Sequence, residues 1–303
     1  MQINQANVEA IQKGFSIKYD EGFSGAGEPL SARIMDTMPA SAVTEEHDFL
    51  TAFPGIRELT DEVTVQNLRQ AGYTIRQKEF ESTIGLKMLD VLGDRLGMYV
   101  RNSQTMGAVA RQHPDELLVQ LLSDGLGGAT DYTGSGFFDT DKAAYAGATT
   151  FTNVTTGRLT VARYAAGLAN LKARQNAKGR PMGLGKALVL VVSPSYEQTA
   201  REIINAGRLA NGQDNVLKDS ARLEVWPHLA TNDMEHTWFL METGSVMKPF
   251  IRTELAAWQQ YQITDPKDSY VVLNKKFLWQ VYGVSNVGFC MPEMIYGSDG
   301  TVS

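Results

Sequence analysis

The chain has 303 residues, of which 43% are hydrophobic and 20% charged, and its formal net charge is −6. That composition fits a folded globular protein of about two domains, or one large domain with lobes, and argues against disorder. The acidic balance argues against a nucleic-acid binder, which would carry a basic face, and the single cysteine, Cys290, excludes an internal disulfide.

The first residues, MQINQANVEAIQKGF, are polar and hold no apolar core, so no signal peptide is expected and the chain should stay in the compartment where it is made. No apolar run approaches the ~20 residues of a membrane span. Residues 1–50 read as an arm. A short amphipathic stretch from Val8 to Phe15 is followed by a Gly- and Pro-rich run from Gly22 that suits neither helix nor strand. Such a segment is loose, or is ordered by lying on something else.

Residues 57–86 read as strand, turn and strand. Val63, Val65, Tyr73, Ile75, Phe80 and Ile84 supply strand propensity and Gly72 the turn. Arg69, Arg76, Lys78, Glu79 and Glu81 crowd the tip and its return strand, so neither face is apolar enough to bury in the chain's own core. A two-stranded ribbon alone in water is marginal. The segment is therefore either a solvated surface hairpin or an arm that docks on a neighbouring subunit.

A long helix is expected over roughly 97–124, with Met106, Val109, Ala110, Leu117, Leu121 and Leu122 on one face. Pro114 should kink or restart it, which places Asp115 and Glu116 in a first turn, and Gly125 should stop it. Residues 158–229 read as a compact α/β unit: a helix in RLTVARYAAGLANLKARQN, a buried strand in ALVLVVS, a helix after Pro194 and a strand in ARLEVWPHL. HTWFLME is a further strand, and IRTELAAWQQYQI, YVVLNKKFLWQVYGV and VGFCMPEMIYG alternate like antiparallel strands. There is no internal repeat.

The candidate chemistry is thin. Asp139 and Asp141, in GFFDTD, suggest the nucleophile and acid of a phosphoryl-transfer enzyme. Two glycines spoil the strand that should feed them, and no second acidic pair follows to hold magnesium. The reading favoured here is a turn capped by aspartate side chains and anchored by Phe137 and Phe138. Gly183 to Ala187, GLGKA, lacks the first glycine and the hydroxyl of a phosphate loop and precedes a strand, so it reads as a turn. His228, Asp233, Glu235 and His236 match no strong ligand spacing and read as a loop, while His47 and His113 stand alone. Ser193 lacks the glycines of a nucleophile elbow. Cys290, among apolar residues, reads as a small buried hydrophobe. No catalytic, cofactor or metal residue is assigned.

Several motifs nonetheless occur in a telling order: FPGIRE (Phe53 to Glu58), GYTIRQKEFESTIG (Gly72 to Gly85), GMY (Gly97 to Tyr99), Gly107, HPDELLVQLLSDG, GFFDTD, VYGVSNVGF and MIYGS. Together they resemble the Mu-like phage major head subunit, a branch of the tailed-phage capsid proteins with the Hong Kong 97 fold. The match is densest over 53–141 and thinner over 150–250. The chain departs from the family pattern at Lys142 and Ala143, where His-Pro is usual, and at Leu59, where an aromatic is usual.

The resemblance implies an α+β fold with an N-terminal arm (1–50), an extended E-loop hairpin with flanking strands (51–86) and a P domain with its spine helix (87–157). An A domain (158–245) and strands that return to the P domain (246–303) would complete it. It further implies a subunit that self-assembles into pentamers and hexamers of an icosahedral shell around phage double-stranded DNA, with no enzymatic role. The E-loop residues Arg69, Tyr73, Arg76, Lys78, Glu79, Phe80 and Glu81 would then meet an adjacent subunit. Expected partners are other copies of the chain, a portal, a separate scaffold or protease, and a possible decoration protein. DNA would be enclosed without specific binding, and the chain would reside in the virion after assembly in the host cytoplasm. The alternatives are an encapsulin-like nanocompartment shell and a metal-dependent phosphatase built on Asp139.

Overall fold

The protein is described by a computed structural model covering residues 3–50, 70–142, 150–175, 179–208, 212, 214–231, 233–245 and 247–301. In chain order the elements are α1 (Gln5–Gly25), α2 (Ser31–Ile34), β1 (Met35–Pro39), β2 (Thr44–Leu50), β3 (Gln70–Arg76), β4 (Lys78–Lys87), α3 (Met88–Leu92) and α4 (Gly97–Leu126). There follow β5 (Val154–Thr155), α5 (Val161–Lys172), β6 (Leu188–Val192), α6 (Glu197–Ile204), β7 (Arg222–Val225) and β8 (Trp238–Glu242). The chain ends with β9 (Phe250–Ile263), α7 (Ser269–Asn274), β10 (Lys276–Phe289) and β11 (Ile295–Ser298). Among the described residues these strands form a four-stranded sheet (β1-β9-β10-β4), a five-stranded sheet (β5-β11-β8-β6-β7) and a separate pair (β2-β3).

The N-terminal arm is more ordered than its composition suggests. Helix α1 runs through Gly22 to Gly25, and Val8, Phe15 and Tyr19 enter one core with Leu86, Ala110 and Trp279. Its N-terminus is capped by Asn4, whose side chain accepts from the Asn7 N–H at 2.8 Å. Gly22 does not break the helix; it lets α4 approach. A Cβ there would stand 1.9 Å from the Gln104 carbonyl oxygen, and one on Gly107 would stand 2.1 Å from that of Tyr19. The glycines are contact points, a role invisible without the partner helix. Gly107→Ala therefore costs about 1–3 kcal/mol by overpacking, although alanine is the better helix former. Gly14→Ala, with open space around its Cβ, gains about 0.5–1 kcal/mol instead. Denaturant midpoints of the two variants check the contrast.

Helix α4 does not restart at Pro114 but runs unbroken from Gly97 to Leu126. Asp115 consequently lies in mid-helix rather than in a first turn. Its buried carboxylate accepts from the backbone N–H groups of Leu30 (3.2 Å) and Ser31 (2.8 Å), and from Trp226 Nε1 at 3.4 Å. It thus ties the arm and the α/β unit to the long helix. The buried stripe of α4 also differs from the one expected: Tyr99, Ser103, Gly107, Ala110, Pro114, Leu118 and Leu122 are covered, whereas Val109 is 52% exposed. Gly125 faces the rings of Phe138 and Phe289, and the helix ends one residue beyond it.

The α/β unit forms as its sequence suggests. The all-apolar strand β6, LVLVV, is buried on both faces and pairs with β7 in parallel and β8 antiparallel. One face packs on α5 and α6 through Leu168, Leu171 and Ile203; the other joins Leu118, Phe239 and Phe289. Beyond it, β9 and β10 are long antiparallel partners of 14 residues each. The strand expected from Tyr270 begins only at Lys276, because Ser269–Asn274 form α7, capped by the Asp268 side chain at 2.8 Å and closed by Lys275 in the left-handed region. The last strand, β11, crosses to the five-stranded sheet and lies between β5 and β8.

Candidate assembly surface

The segment Gly72–Glu81 does not fold as a hairpin about Gly72. Gly72 lies within β3, opposite Asp48 of β2. Strands β3 and β4 are separated only by Gln77 and pair with different partners, β3 with β2 and β4 with β10. Gln77 is the pivot: its N–H donates to the Val43 carbonyl at 2.8 Å, and its buried side-chain amide donates to Thr253 Oγ1 at 2.7 Å. The sequence hides this arrangement because the partner of β3 lies before it, in a stretch that was read as arm.

The residues expected to meet a neighbour are therefore split. Arg69 lies outside the described residues, as does FPGIRE. Tyr73 is half-buried against its own chain, its ring 6.5 Å from that of Phe289, and Ile75 beside it is buried with Ile251, Cys290 and Met291. The foot of the ribbon thus rests on its own body, which corrects the expectation that neither face could do so. Gly72, Thr74 and Arg76 point outward. Lys78, Glu79 and Glu81 are exposed on β4, held in register by Ser285, Val284 and Tyr282 of β10. The Glu81 carboxylate accepts from Thr83 (2.6 Å) and Gln280 (2.9 Å), which hold it below the usual glutamate value. Phe80 turns inward onto the His113 ring at 4.2 Å.

Beside this strand lies a groove of about 530 Å³, lined mainly by Phe80, Ile84, Met106, Val109, His113 and Trp258. The His113 ring is wedged between Phe80 and Trp258, the latter at 5.7 Å. Burial and nearby Arg252 hold His113 below the ordinary histidine value of 6.5, against an opposing pull from Glu116. The folded value lies under the unfolded one, so the fold favours the neutral ring. Its contribution is complete above the ordinary value and is lost as pH falls through it toward the folded value. Urea midpoints at about pH 7.5 and about pH 5 should show a smaller acid loss for His113→Phe than for the native chain.

The other candidate motifs prove to be internal supports. Asp139 Oδ1 accepts from the Asp141 N–H at 3.1 Å, and the Asp139 N–H donates to Asn153 Oδ1 at 2.7 Å, so the first aspartate shapes a turn. Phe137 anchors it, stacked at 4.2 Å on Phe289. Lys142, at 0% side-chain exposure, reaches back across the loop to Asp131, with Nζ to Oδ2 at 2.8 Å. It also donates to Thr133 Oγ1 (2.8 Å), Ser135 Oγ (2.9 Å) and the Gly136 carbonyl (2.8 Å). The GLGKA turn does cradle an anion, but the chain's own: Glu242 accepts from the N–H groups of Gly185 (2.6 Å), Lys186 (3.1 Å) and Ala187 (3.2 Å). In the histidine-rich loop Glu235 accepts from Ser195 at 2.5 Å, and its carbonyl accepts from Ser193 at 2.5 Å. Cys290 is buried, and burial pushes its thiol up to about 12. No helix among the described residues is long and apolar enough to cross a membrane.

A profile of the Mu-like prophage major head subunit gpT family matches residues 8–158, 152–229 and 230–303. The chain belongs to this family. The major capsid protein of Escherichia phage Mu is 30% identical over 145 residues, which is 48% of this chain and 47% of that protein. The Mu-like prophage FluMu major head subunit of Haemophilus influenzae is 21% identical over 296 residues, 98% of this chain and 74% of that protein. A chain of the bacteriophage JBD30 procapsid superposes with a TM-score of 0.61 over 99% of this head subunit and 77% of its own length, at 22% identity. The fold is therefore the α+β capsid fold of Hong Kong 97 type. In this head subunit the FFDTD loop is an internal support, and the outward side of β3 and the start of β4 are exposed.

Proposed function

We propose that this head subunit assembles with copies of itself into pentamers and hexamers of an icosahedral shell that encloses phage double-stranded DNA, and that it does so without enzymatic chemistry. Beyond family membership, one observation carries the reading: among the described residues β2 and β3 form a sheet of their own, joined to the body around Tyr73 and Ile75 and by the Arg76 carbonyl, which accepts from Asn286 Nδ2 at 2.7 Å. A two-stranded ribbon is marginal in isolation and gains stability on a second copy. Contacts that embrace a neighbour add to those within a ring, so that modest interfaces sum to a firm lattice.

In this proposal α4 is the spine of the P domain, and the five-stranded sheet with α5 and α6 is the body of the A domain. Arg76, Lys78, Glu79 and Glu81 are the charges that meet the neighbour. A portal, a separate scaffold or protease and a decoration protein are the further partners. The acidic balance keeps enclosed DNA from adhering, since phosphate binding needs many basic contacts.

Purified protein, alone and with the products of neighbouring genes, examined by size exclusion and negative-stain microscopy, should give rings or closed shells. A chain that stays monomeric and folded in every combination defeats the proposal. The paired reversal Lys78→Glu and Glu81→Lys should leave the melting temperature within a few degrees of the native value and reduce assembly.

A further inference from the structure

We propose that the cleft between the end of α1, the middle of α4 and the four-stranded sheet binds a small organic acid, a carboxylate or phosphate head on an apolar body. The cleft holds about 460 Å³, within the ~300–1,000 Å³ of ordinary small-molecule sites. Its floor is β1 and β9, where Thr37 stands opposite Arg252 in register. One wall is the end of α1 and the turn into α2, with Phe23 and Ser31; the other is α4, with Arg111.

The polar groups of the cleft lack one kind of partner. Arg252 Nε and Ser31 Oγ are buried atoms, and neither has a hydrogen-bond partner. Ser31 as a whole is 1% exposed, and an unpaired buried group of this kind is costly. Arg252 is tied on its other side, where Nη2 donates to Glu254 Oε1 at 2.8 Å. Arg111 rests its Nε 3.4 Å from the Gly27 carbonyl and its Cζ 5.2 Å from the centre of the Phe23 ring; neither contact carries a charge. The described lining thus holds two guanidinium groups and one carboxylate, that of Glu254. The nearby Asp115 is turned to the N–H groups of Leu30 and Ser31.

A guanidinium N–H can only donate, and a hydroxyl can do so as well. The missing group therefore brings acceptors, and its charge offsets the cation that Glu254 leaves over. A carboxylate or phosphate supplies both, with oxygens spaced to meet a guanidinium fork. The rest of the lining selects the body of the ligand. Phe23, Met35, Pro114 and Trp258 present apolar surface, which a bare inorganic ion would leave uncovered. An occupant would touch α1, α4, β1 and β9 together, so it bridges the N-terminal arm to the body. It binds the folded chain alone, and so raises the denaturant midpoint by mass action.

Isothermal titration of the folded chain with phenylacetate and with phenyl phosphate tests the site. Phenylacetamide serves as the neutral control and inorganic phosphate as the control without a body. At least one of the two acids should bind once per chain, about tenfold or more tighter than either control, the factor a charged hydrogen bond supplies. The tighter acid identifies the head group. Ser31→Ala and Arg252→Lys should each weaken that binding about tenfold. Ser31→Ala should also leave the urea midpoint of the unliganded chain unchanged, because its hydroxyl has no partner to lose and the Ser31 N–H keeps its bond to Asp115. This separates a loss of the site from a loss of the fold. Acids that bind no better than phenylacetamide overturn the proposal. So does binding that Ser31→Ala and Arg252→Lys both leave untouched, which places the acid elsewhere on the chain.

Discussion

A chain carrying Lys142→Met unfolds about 3–5 kcal/mol more easily than the native chain, by the cost of leaving one member of a buried ion pair alone. The residues before position 142 explain the size. The loop from Asp131 turns through Thr133 and Gly134, and Lys142 reaches back into it, so that its Nζ meets Asp131, Thr133, Ser135 and Gly136 with the side chain fully buried. Methionine fills much of the same volume but leaves the Asp131 carboxylate buried without a cation. Removing the charge as well, in Lys142→Met with Asp131→Asn, should recover a substantial part of the loss, since apolar or neutral replacements of a whole buried pair are often tolerated. Asparagine can still accept from Thr133 through its Oδ1. Equilibrium urea unfolding of the three chains measures the coupling, and equal losses in single and double variants would show that the pair itself contributes nothing.

Phe137→Ala costs about 3–5 kcal/mol, the range for truncating a fully buried phenylalanine. Its ring is at 0% exposure. It stacks on Phe289 at 4.2 Å, tilts against Phe250 at 5.6 Å and meets Phe138 edge-on at 5.0 Å. Phe250 opens β9 and Phe289 closes β10, while Phe239 and Ile295 of the same core belong to the five-stranded sheet. The ring therefore sits where the two sheets meet the long helix, and a cavity there loosens all three. Asp139→Asn, two residues on, keeps the oxygen that caps the Asp141 N–H and should change stability by no more than about 0.5 kcal/mol. Thermal melts of both variants separate an anchored turn from an acid essential to the molecule. A large loss at Asp139 with little at Phe137 would reverse this account of the loop.

Much of the body was legible because its signals are local. An unbroken apolar run such as LVLVV is buried wherever it lands, and the long alternating strands after Phe250 need only their own pattern to declare themselves. The family resemblance was legible for the same reason: GYTIRQKEFESTIG and GFFDTD are continuous in the chain. The candidate surface was harder. Lys78, Glu79 and Glu81 advertise an exposed strand, but the strand that supports them, β10, lies about 200 residues later in register with β4. Lys142 was noticed only as a departure from the family pattern; the one cue to its burial was the absence of any reason for a cation in that loop.

The amino-acid order alone therefore determined the class of the molecule: an acidic α+β head subunit whose apolar strands and long amphipathic helix would find a core. The tertiary structure alone decided which glycines are breaks and which are contacts, because Gly22 and Gly107 look flexible until two helix backbones meet across them. It decided, too, that β3 and β4 part at Gln77 to pair with β2 and β10 and do not fold on each other about Gly72, since a strand's partner is chosen by whichever exposed edge lies nearest in space. Propensity acts on neighbours in the chain, whereas close packing and the burial of charge act on neighbours across it, and only the folded chain brings those together.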